Sequence, residues 1–336
     1  MNSQSFHAFL STRGISETEI THQIGLIKHI EDILRTQIPL WNLEDINAAS
    51  AQSLIDEMID RGENTSENLL TLLWYAQAIG NQDLFNIVFE IFDCCEAMDN
   101  LHAQLADRVG EDLRDIIFED LPLPPLGLSK REKARFSYRI MHRMVNIFEE
   151  HYCREILSDG LSGSPDAENL TAKSDYTEIC ENDLDSYLDF RRKKFLEDLR
   201  LHQTQGTLYR GQEITDDVIN FVENHPEIGG GVRAGHAVIE TKLPHDTRSY
   251  LTEEDPEKKR YYYCHCPWVR ESLRRNASRV PAVFCQCSAG YHKQPWEIIF
   301  GRKLKADVLE SVLRGDNRCR FVIYLPQGEV EIPERP

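Results

Sequence analysis

The chain has 336 residues and a formal net charge of −18, and its length favours two or three domains with a large buried core. The acidity disfavours a nucleic acid or an anionic membrane as partner, because phosphate binding needs clustered Lys and Arg. The sequence has no run of about 18 apolar residues for a membrane span, and residues 1–10 lack the basic and apolar segments of an export signal. We therefore expect a cytoplasmic protein whose nine cysteines are reduced thiols, metal ligands or core residues.

The first third of the chain carries apolar residues at helical spacing. Together with the Pro and Gly residues beyond the ends of the periodic segments, this spacing predicts helices over residues 15–37, 47–59, 66–79, 82–97 and 100–118. Residues 1–150 contain 25 Asp and Glu against 12 Lys and Arg. We predict an acidic helical bundle over residues 1–121.

The start of this bundle carries the pattern of a known helical domain. Phe6, Phe9 and Leu10 precede the segment Arg13–Ser16, and Leu43–Ile46 follows the first long helix. These residues resemble the SAM-like core-binding domain of tyrosine recombinases over residues 1–93. The acidic charge opposes DNA binding, and no recombinase catalytic domain with a Tyr nucleophile follows. We therefore expect the bundle to serve packing or contact with a protein partner.

Residues 122–128 interrupt the helical pattern with three prolines and a glycine, which predicts a linker between domains. Ser129 and Glu132 then have the spacing of a capping box, in which each side chain bonds a free amide of the first helical turn. The box predicts a helix that runs to about residue 156, and a further helix is predicted over residues 183–202. Residues 129–203 thus form a helical segment that joins the C-terminal domain.

The composition changes after Gly206. Short strand-like segments alternate with short helices, at residues 207–210, 237–243, 261–266, 280–287, 304–312 and 318–325. This pattern predicts an α+β domain over residues 204–336 with a mainly antiparallel sheet. Gly229–Gly231 lacks the strand and helix that flank a dinucleotide-binding loop, and we interpret it as a flexible turn.

Four cysteines of this domain form two Cys-x-Cys pairs. In an extended strand residues i and i+2 face the same way, so Cys264 and Cys266 would present their sulfurs together, as would Cys285 and Cys287. Adjacent strands would bring the four thiols to one small volume. The arrangement suits zinc, which takes four thiolates in a tetrahedron. The four cysteines are therefore a candidate metal site, and zinc is a candidate cofactor.

The same segments also allow a reactive thiol in a small-molecule pocket. Cys285 or Cys287 would be the nucleophile or a ligand contact, and His265, His292, Lys293 or Glu297 would be the base or charge partner. A helix that begins near His292 would offer an N-terminus that lowers the pKa of the thiol. The candidate ligand contacts are Trp268, Tyr291, Lys293 and Glu297.

A purely structural role is the third interpretation, because Cys is among the most buried residue types and packs as a small hydrophobe. It is favoured for Cys319, which alternates with Phe321, Ile323 and Leu325 on one face of a predicted strand. The three interpretations stay open at the level of sequence.

The C-terminal motifs resemble those of a family of uncharacterised bacterial proteins. The family carries paired Cys-x-Cys segments followed by Gly-Asp-x-x-Cys-x-Phe, which correspond here to Tyr263–Cys266, Phe284–Lys293 and Gly315–Phe321. The ending is similar, more distantly, to 4-vinyl reductase-like sensory domains and to L-2-amino-thiazoline-4-carboxylic acid hydrolase-like proteins. The resemblance covers about residues 204–326 and implies an α+β ligand-binding fold, without established catalytic residues.

Three functional hypotheses follow from these patterns. The first is binding of a small molecule or metal through the Cys-lined site, in a sensory or accessory role. The second is a cysteine-dependent hydrolase of small amide- or thiazoline-like compounds. The third is a protein–protein interaction module that acts through the acidic bundle.

Overall fold

The computed structural model describes residues 2–37, 41–159, 161 and 167–326. The chain divides into two compact units, and each takes two segments of sequence. The first unit comprises Met1–Cys95 and Leu123–Lys133, and the second comprises Glu96–Pro122 and Ala134–Pro336. In the described part of the chain, no helix combines the length and the apolar character that crossing a membrane requires.

These bounds differ from the predicted bundle of residues 1–121 and linker of residues 122–128. The Pro-rich segment packs on the first unit instead of connecting two domains freely. Asn64 Nδ2 donates to the carbonyl oxygen of Leu126 at 2.8 Å, and Leu126 packs against the first unit's core. Residues 96–121 contribute Met98, Leu101 and Leu105 to a core of the second unit, so they do not belong to the first unit as the predicted bundle required.

The first unit is helical. Its helices are α1 (Ser3–Thr12), α2 (Glu17–Gln37), α3 (Ala48–Asp60), α4 (Ser66–Ile79) and α5 (Gln82–Phe92). Four of them begin at a polar side chain that accepts a hydrogen bond from a first-turn amide, which satisfies a donor the helix leaves unpaired. These caps are Asn2, Asn47, Thr65 and Asn81. The apolar faces form one core in which Phe6, Leu54 and Tyr75 are fully buried.

The second unit contains ten helices in its described residues. They are α6 (Ala97–Val109), α7 (Glu111–Phe118), α8 (Lys130–Ile147), α9 (Glu150–Ser158), α10 (Ala167–Ser174), α11 (Leu184–Gln205), α12 (Asp216–Glu223), α13 (Thr247–Thr252), α14 (Pro256–Tyr263) and α15 (Gln286–Phe300). The first residues of α8 lie within the segment Leu123–Lys133. A π-helical turn covers Asp175–Ile179, and 3₁₀ turns cover Arg270–Leu273 and Ala282–Cys285.

A four-stranded antiparallel sheet completes the second unit. Its strands are β1 (Val232–Ala234), β2 (Ala237–Thr241), β3 (Lys305–Glu310) and β4 (Arg320–Tyr324), in the order β1-β2-β4-β3. Side chains that alternate along a strand point to the same face, so Val238, Glu240, Phe321 and Ile323 share the face on which α15 packs. The predicted α+β class, with a helical N-terminal part and an antiparallel C-terminal sheet, is confirmed.

The two Cys-x-Cys segments are not strands, contrary to prediction. The first is the end of α14 and the loop beyond it, and the second is a 3₁₀ turn that leads into α15. The Asp255 carboxylate accepts the amides of Glu257 and Lys258, and Pro256 occupies the first helical turn, a strong helix start. This local start decides the conformation of a Tyr-rich segment whose residues otherwise favour strands.

The Gly-Gly-Gly segment is a packed turn and not the flexible one that we expected. The backbone of α11 approaches Gly230 so closely that a Cβ there would lie 2.7 Å from the carbonyl oxygen of Leu188. Arg191 donates to the carbonyl oxygen of Gly230 at 3.2 Å. Glycine is needed at this position because no side chain fits between the turn and the helix.

Candidate functional site

The four cysteines predicted as metal ligands do not converge as ligands. Cys264 is the C-terminal cap of α14 and Cys266 lies in the following loop, while Cys285 ends a 3₁₀ turn and Cys287 lies in α15. Side chains two positions apart on a helix point away from each other, so Cys285 and Cys287 cannot present their sulfurs together. Within the described ranges, no three His, Cys, Asp or Glu side chains are grouped so that they could hold a metal ion.

Cys264, Cys285 and Cys319 are neighbours in a different arrangement. Each lies close enough to another for the neighbour's thiolate charge to raise the pKa of its thiol. Cys285 acts on Cys264, Cys319 acts on Cys285, and Cys264 acts on Cys319. The Ser311 hydroxyl donates to the Cys285 sulfur at 3.0 Å. Cys319 was predicted to pack as a core residue, and it contacts two of the unit's apolar cores.

The thiols of these three cysteines and of Cys287 are protonated at neutral pH. Loss of hydration raises the pKa of Cys264 and Cys287 to about 11 and the pKa of Cys285 and Cys319 to about 12. A buried thiolate is disfavoured because few water molecules can stabilise its charge. These environments oppose the predicted role of Cys285 and Cys287 as ready nucleophiles.

Lys242 is the cation of this region, and the sequence interpretation did not single it out. Its Nζ donates to the Ser288 hydroxyl at 3.2 Å and lies 5.8 Å from the ring centroid of Phe321. Its positive charge opposes the rise in the pKa of the surrounding thiols and adds to the fall in the pKa of the surrounding imidazoles. These groups therefore lie around one ammonium group. They are Cys264, Cys285, Cys287, Cys319, His265 and His292. We call this set the Lys242 cluster.

Most side chains of the Lys242 cluster are half-buried. Apart from Cys264, which is buried, its members and Lys242 itself keep part of their accessible surface. Loss of hydration is nevertheless the largest cause of the pKa shift at each thiol and imidazole. Groups on a convex surface would be hydrated. These groups are therefore partly accessible and yet poorly hydrated.

A buried carboxylate lies beside the cluster on the same face of the sheet. Glu240 Oε1 accepts from Arg191 Nη1 at 2.7 Å and from Trp296 Nε1 at 3.0 Å, and its Oε2 accepts from His292 Nδ1 at 2.6 Å. Burial alone would raise the pKa of Glu240, but Arg191 and His292 hold it at about 2. Glu240 is therefore charged at neutral pH and fixes the orientation of the imidazole.

His292 lies within α15 and not at its start, contrary to prediction. Its ring stacks on Phe321 with centroids 4.5 Å apart. Burial lowers its pKa, so the ring is neutral at pH 7 and donates Nδ1–H to Glu240. Its Nε2 is buried and has no hydrogen-bond partner in the described part of the protein. An oriented neutral imidazole of this kind can accept a proton, but reaching it requires a local opening of the structure.

The predicted ligand contacts fall in different places. Lys293 and Glu297 lie on another face of α15, where they form an ion pair at 3.1 Å and line a cavity of about 470 Å³. Trp268 is buried in the helical core against Phe136, so it is not a wall of either site. Tyr291 is half-buried, and its ring centroid lies 6.0 Å from that of His292.

The sequence contained a signal for the residues that were missed. Val238, Glu240 and Lys242 alternate along a segment that was predicted to be a strand, so period two places them on one face. Two charged residues on the inward face of a strand indicate a site, because unpaired charges are rarely buried. Arg191 and Ser288 reach this face from helices, and no local pattern connects them to it.

Comparison with known proteins gives one partial match. A family model described as "Family of unknown function (DUF6144)" matches residues 246–330, about a quarter of the chain. The matched segment is similar to that family and includes Cys264, Cys285, Cys287, Cys319 and His292. No curated protein and no solved structure matches the chain.

Proposed function

We propose that the protein binds a small organic anion, such as a carboxylate, at the Lys242 cluster, and that this binding has a sensory or accessory role. The observation that carries the proposal is the Lys242 ammonium. It is half-buried among neutral thiols and imidazoles, and no described carboxylate forms an ion pair with it.

A bound anion would complete this arrangement. A cation held away from bulk water is stabilised by a charged partner that donates or accepts hydrogen bonds. The Ser288 hydroxyl accepts from Lys242, so its own hydrogen is free to be donated to a ligand oxygen. The half-buried thiols of Cys285, Cys287 and Cys319 offer an apolar surface for the rest of the ligand. The sensory role rests on the resemblance of the C-terminal motifs to 4-vinyl reductase-like sensory domains.

Ligand binding can be tested on the full chain with a panel of small carboxylic acids at constant ionic strength. A ligand at one hundred times its Kd stabilises the folded protein by about 2.7 kcal/mol, which a thermal-shift assay detects. Lys242→Met should abolish the stabilisation. Lys305→Met is a matched control, because Lys305 is an exposed lysine of the same sheet that pairs with Asp307. An identical response of the Lys242→Met variant and the wild type would contradict the proposal.

Zinc binding by Cys264, Cys266, Cys285 and Cys287 stays a prediction with weaker support. The helical conformation at residues 286–300 separates two of the four sulfurs, and the thiolate form that zinc requires is disfavoured where the pKa is raised. Elemental analysis of protein purified without added zinc tests it. About one zinc per chain, lost from a Cys264→Ser variant, would favour the metal site.

The Glu240–His292 pair favours cysteine-dependent hydrolysis as a second candidate function. A base held by a carboxylate is one part of a nucleophile–base arrangement, and the pair has that geometry. The raised thiol pKa values require a substrate or a structural change to activate the nucleophile. Turnover of small amides or thiazolines should then disappear in the Cys285→Ser variant, in the Cys287→Ser variant, or in both. Absence of any turnover by the wild type would remove this candidate.

Contact between the acidic first unit and a basic protein partner stays a prediction that rests on charge alone. Recovery of one basic protein with the full chain at low salt, and its release at high salt, would support it.

A further inference from the structure

Helix α15 carries a second polar site on the face that holds Lys293. A cavity of about 470 Å³ opens there between α15 and the end of α9, and Asp159, Lys293, Glu297, Arg302 and Lys303 are among the residues that line it. Its volume lies in the range of small-molecule sites. We propose that this cavity binds a second small anion through its phosphate or carboxylate group, independently of the Lys242 cluster.

The carboxylates of the cavity are already neutralised. Lys293 is 4% exposed, and its Nζ donates to Asp159 at 3.0 Å, to Glu297 at 3.1 Å and to the carbonyl oxygen of Leu304 at 3.1 Å. Arg108 also pairs with Asp159, and Lys303 lies 3.5 Å from Glu297. Burial alone would raise the pKa of Asp159, but Lys293 and Arg108 hold it below its usual value.

Positive charge remains in excess after these pairs are counted. Two carboxylates face the three cations Arg108, Lys293 and Lys303, and Arg302 is a fourth cation that no described carboxylate pairs. Helices α9 and α15 end at the cavity, and each C-terminus contributes about half a negative charge. About one positive charge is left over, in a chain whose formal net charge is −18.

Arg302 determines the class of ligand. A guanidinium presents its N–H groups in a planar fork that matches the two oxygens of a carboxylate or phosphate. Lys303 and the buried Lys293 add charge to the adjacent wall. Arg302 and Lys303 are exposed and can contact a ligand, and the buried Lys293 acts where water screens its charge less. The cavity thus favours an oxyanion over a neutral or cationic molecule.

The test uses inorganic phosphate and citrate as separate probes of the full chain, with sodium chloride at equal ionic strength as reference. We expect at least one probe to raise the melting temperature above the reference. Arg302→Gln should weaken its binding about tenfold, since a hydrogen bond to a charged group contributes at least that factor. Phosphate alone would identify a phosphate-bearing ligand, and citrate alone a carboxylate.

Two further variants separate the outcomes. Arg248→Gln removes an exposed arginine that pairs with Glu213 and does not line the cavity, and it should bind as the wild type does. Lys303→Met should also weaken binding, which provides a second variant if Arg302→Gln is unstable. Failure of both probes to exceed chloride, or undiminished binding by Arg302→Gln, would each overturn the proposal.

Discussion

His292 and Glu240 form a buried contact between helix α15 and strand β2, with 2.6 Å between Nδ1 of the imidazole and Oε2 of the carboxylate. The carboxylate side chain is 7% exposed, and its other oxygen accepts from Arg191 and Trp296. A buried charge costs free energy unless its hydrogen bonds are complete. The network therefore holds α11, α15 and the sheet in one arrangement beside the Lys242 cluster.

Glu240→Gln should destabilise the second unit by about 3 kcal/mol. This substitution removes the negative charge that pairs with Arg191, and breaking a buried ion pair costs about 3–5 kcal/mol. We expect the lower end because the Arg191 side chain is 22% exposed. Urea unfolding followed by circular dichroism measures the difference. Glu213→Gln removes one side of an exposed pair with Arg248 and should change stability by less than about 1 kcal/mol. Equal effects of the two substitutions would contradict the importance of the network.

The charge of Glu240 also predicts a dependence of stability on acid. Its pKa is about 2 in the folded protein against an ordinary value of 4.5, so the unfolded chain binds the proton first as the pH falls. The stabilisation is present above pH 4.5 and is lost between about pH 4.5 and pH 2. Glu240→Gln should therefore lose less stability than the wild type over this range. A constant difference in unfolding free energy between the two proteins from pH 5 to about pH 2 would contradict a lowered pKa of Glu240.

Two histidines predict a loss of stability at milder acidity. Loss of hydration and the charge of Lys242 hold the pKa of His265 well below its ordinary 6.5, and burial lowers the pKa of His292 as well. Below pH 6.5 the unfolded chain binds protons that the folded protein does not bind, so stability falls as the pH decreases. Each histidine contributes up to about 1.4 kcal/mol per pH unit. His265→Gln should flatten the slope of unfolding free energy between pH 6.5 and pH 5; an unchanged slope would contradict it.

Gly290→Ala should lower the melting temperature. A Cβ at this position of α15 would lie 2.5 Å from the carbonyl oxygen of Ser158, which is backbone and cannot rotate away. The two helices must then separate, although alanine favours a helix over glycine by about 1 kcal/mol. Gly25→Ala is the matched control, because Gly25 is also helical and nothing lies within 4 Å of its added Cβ. Gly25→Ala should be neutral or stabilising, and a similar gain in Gly290→Ala would refute the close contact.

Thiol chemistry should distinguish the exposed cysteine from the Lys242 cluster. Cys94 is exposed, whereas the pKa values of Cys264, Cys285, Cys287 and Cys319 are raised to about 11 or 12. The thiolate is the reactive form, so iodoacetamide at pH 7.5 should label Cys94 first. Mass spectrometry of digested protein gives the order of labelling. Rapid labelling of Cys285 or Cys287 in the folded protein would instead support a nucleophilic role.

Helix starts and stops were largely predictable, because they depend on neighbouring residues. The predicted helix over residues 66–79 has the bounds Ser66–Ile79 in the structure, with Thr65 as its cap and Gly80 in the left-handed conformation beyond its end. The strands at residues 237–243, 304–312 and 318–325 also formed, somewhat shortened. The segment at residues 261–266 failed because the cap at Asp255 lies outside the apolar pattern used to predict it.

The sequence by itself determined the α+β class, the positions of most helices and the inward alternation of Val238, Glu240 and Lys242, because these follow from local propensity and from the period of each element. The tertiary structure decided which of those residues meet. Arg191 and His292, which bond Glu240, lie 49 and 52 residues from it in the sequence. Helix α15 directs His292 and Lys293 into two separate environments although they are adjacent in the chain. Side-chain directions on a helix differ by about 100° between neighbours, so only the packing of the helix decides which environment each one enters.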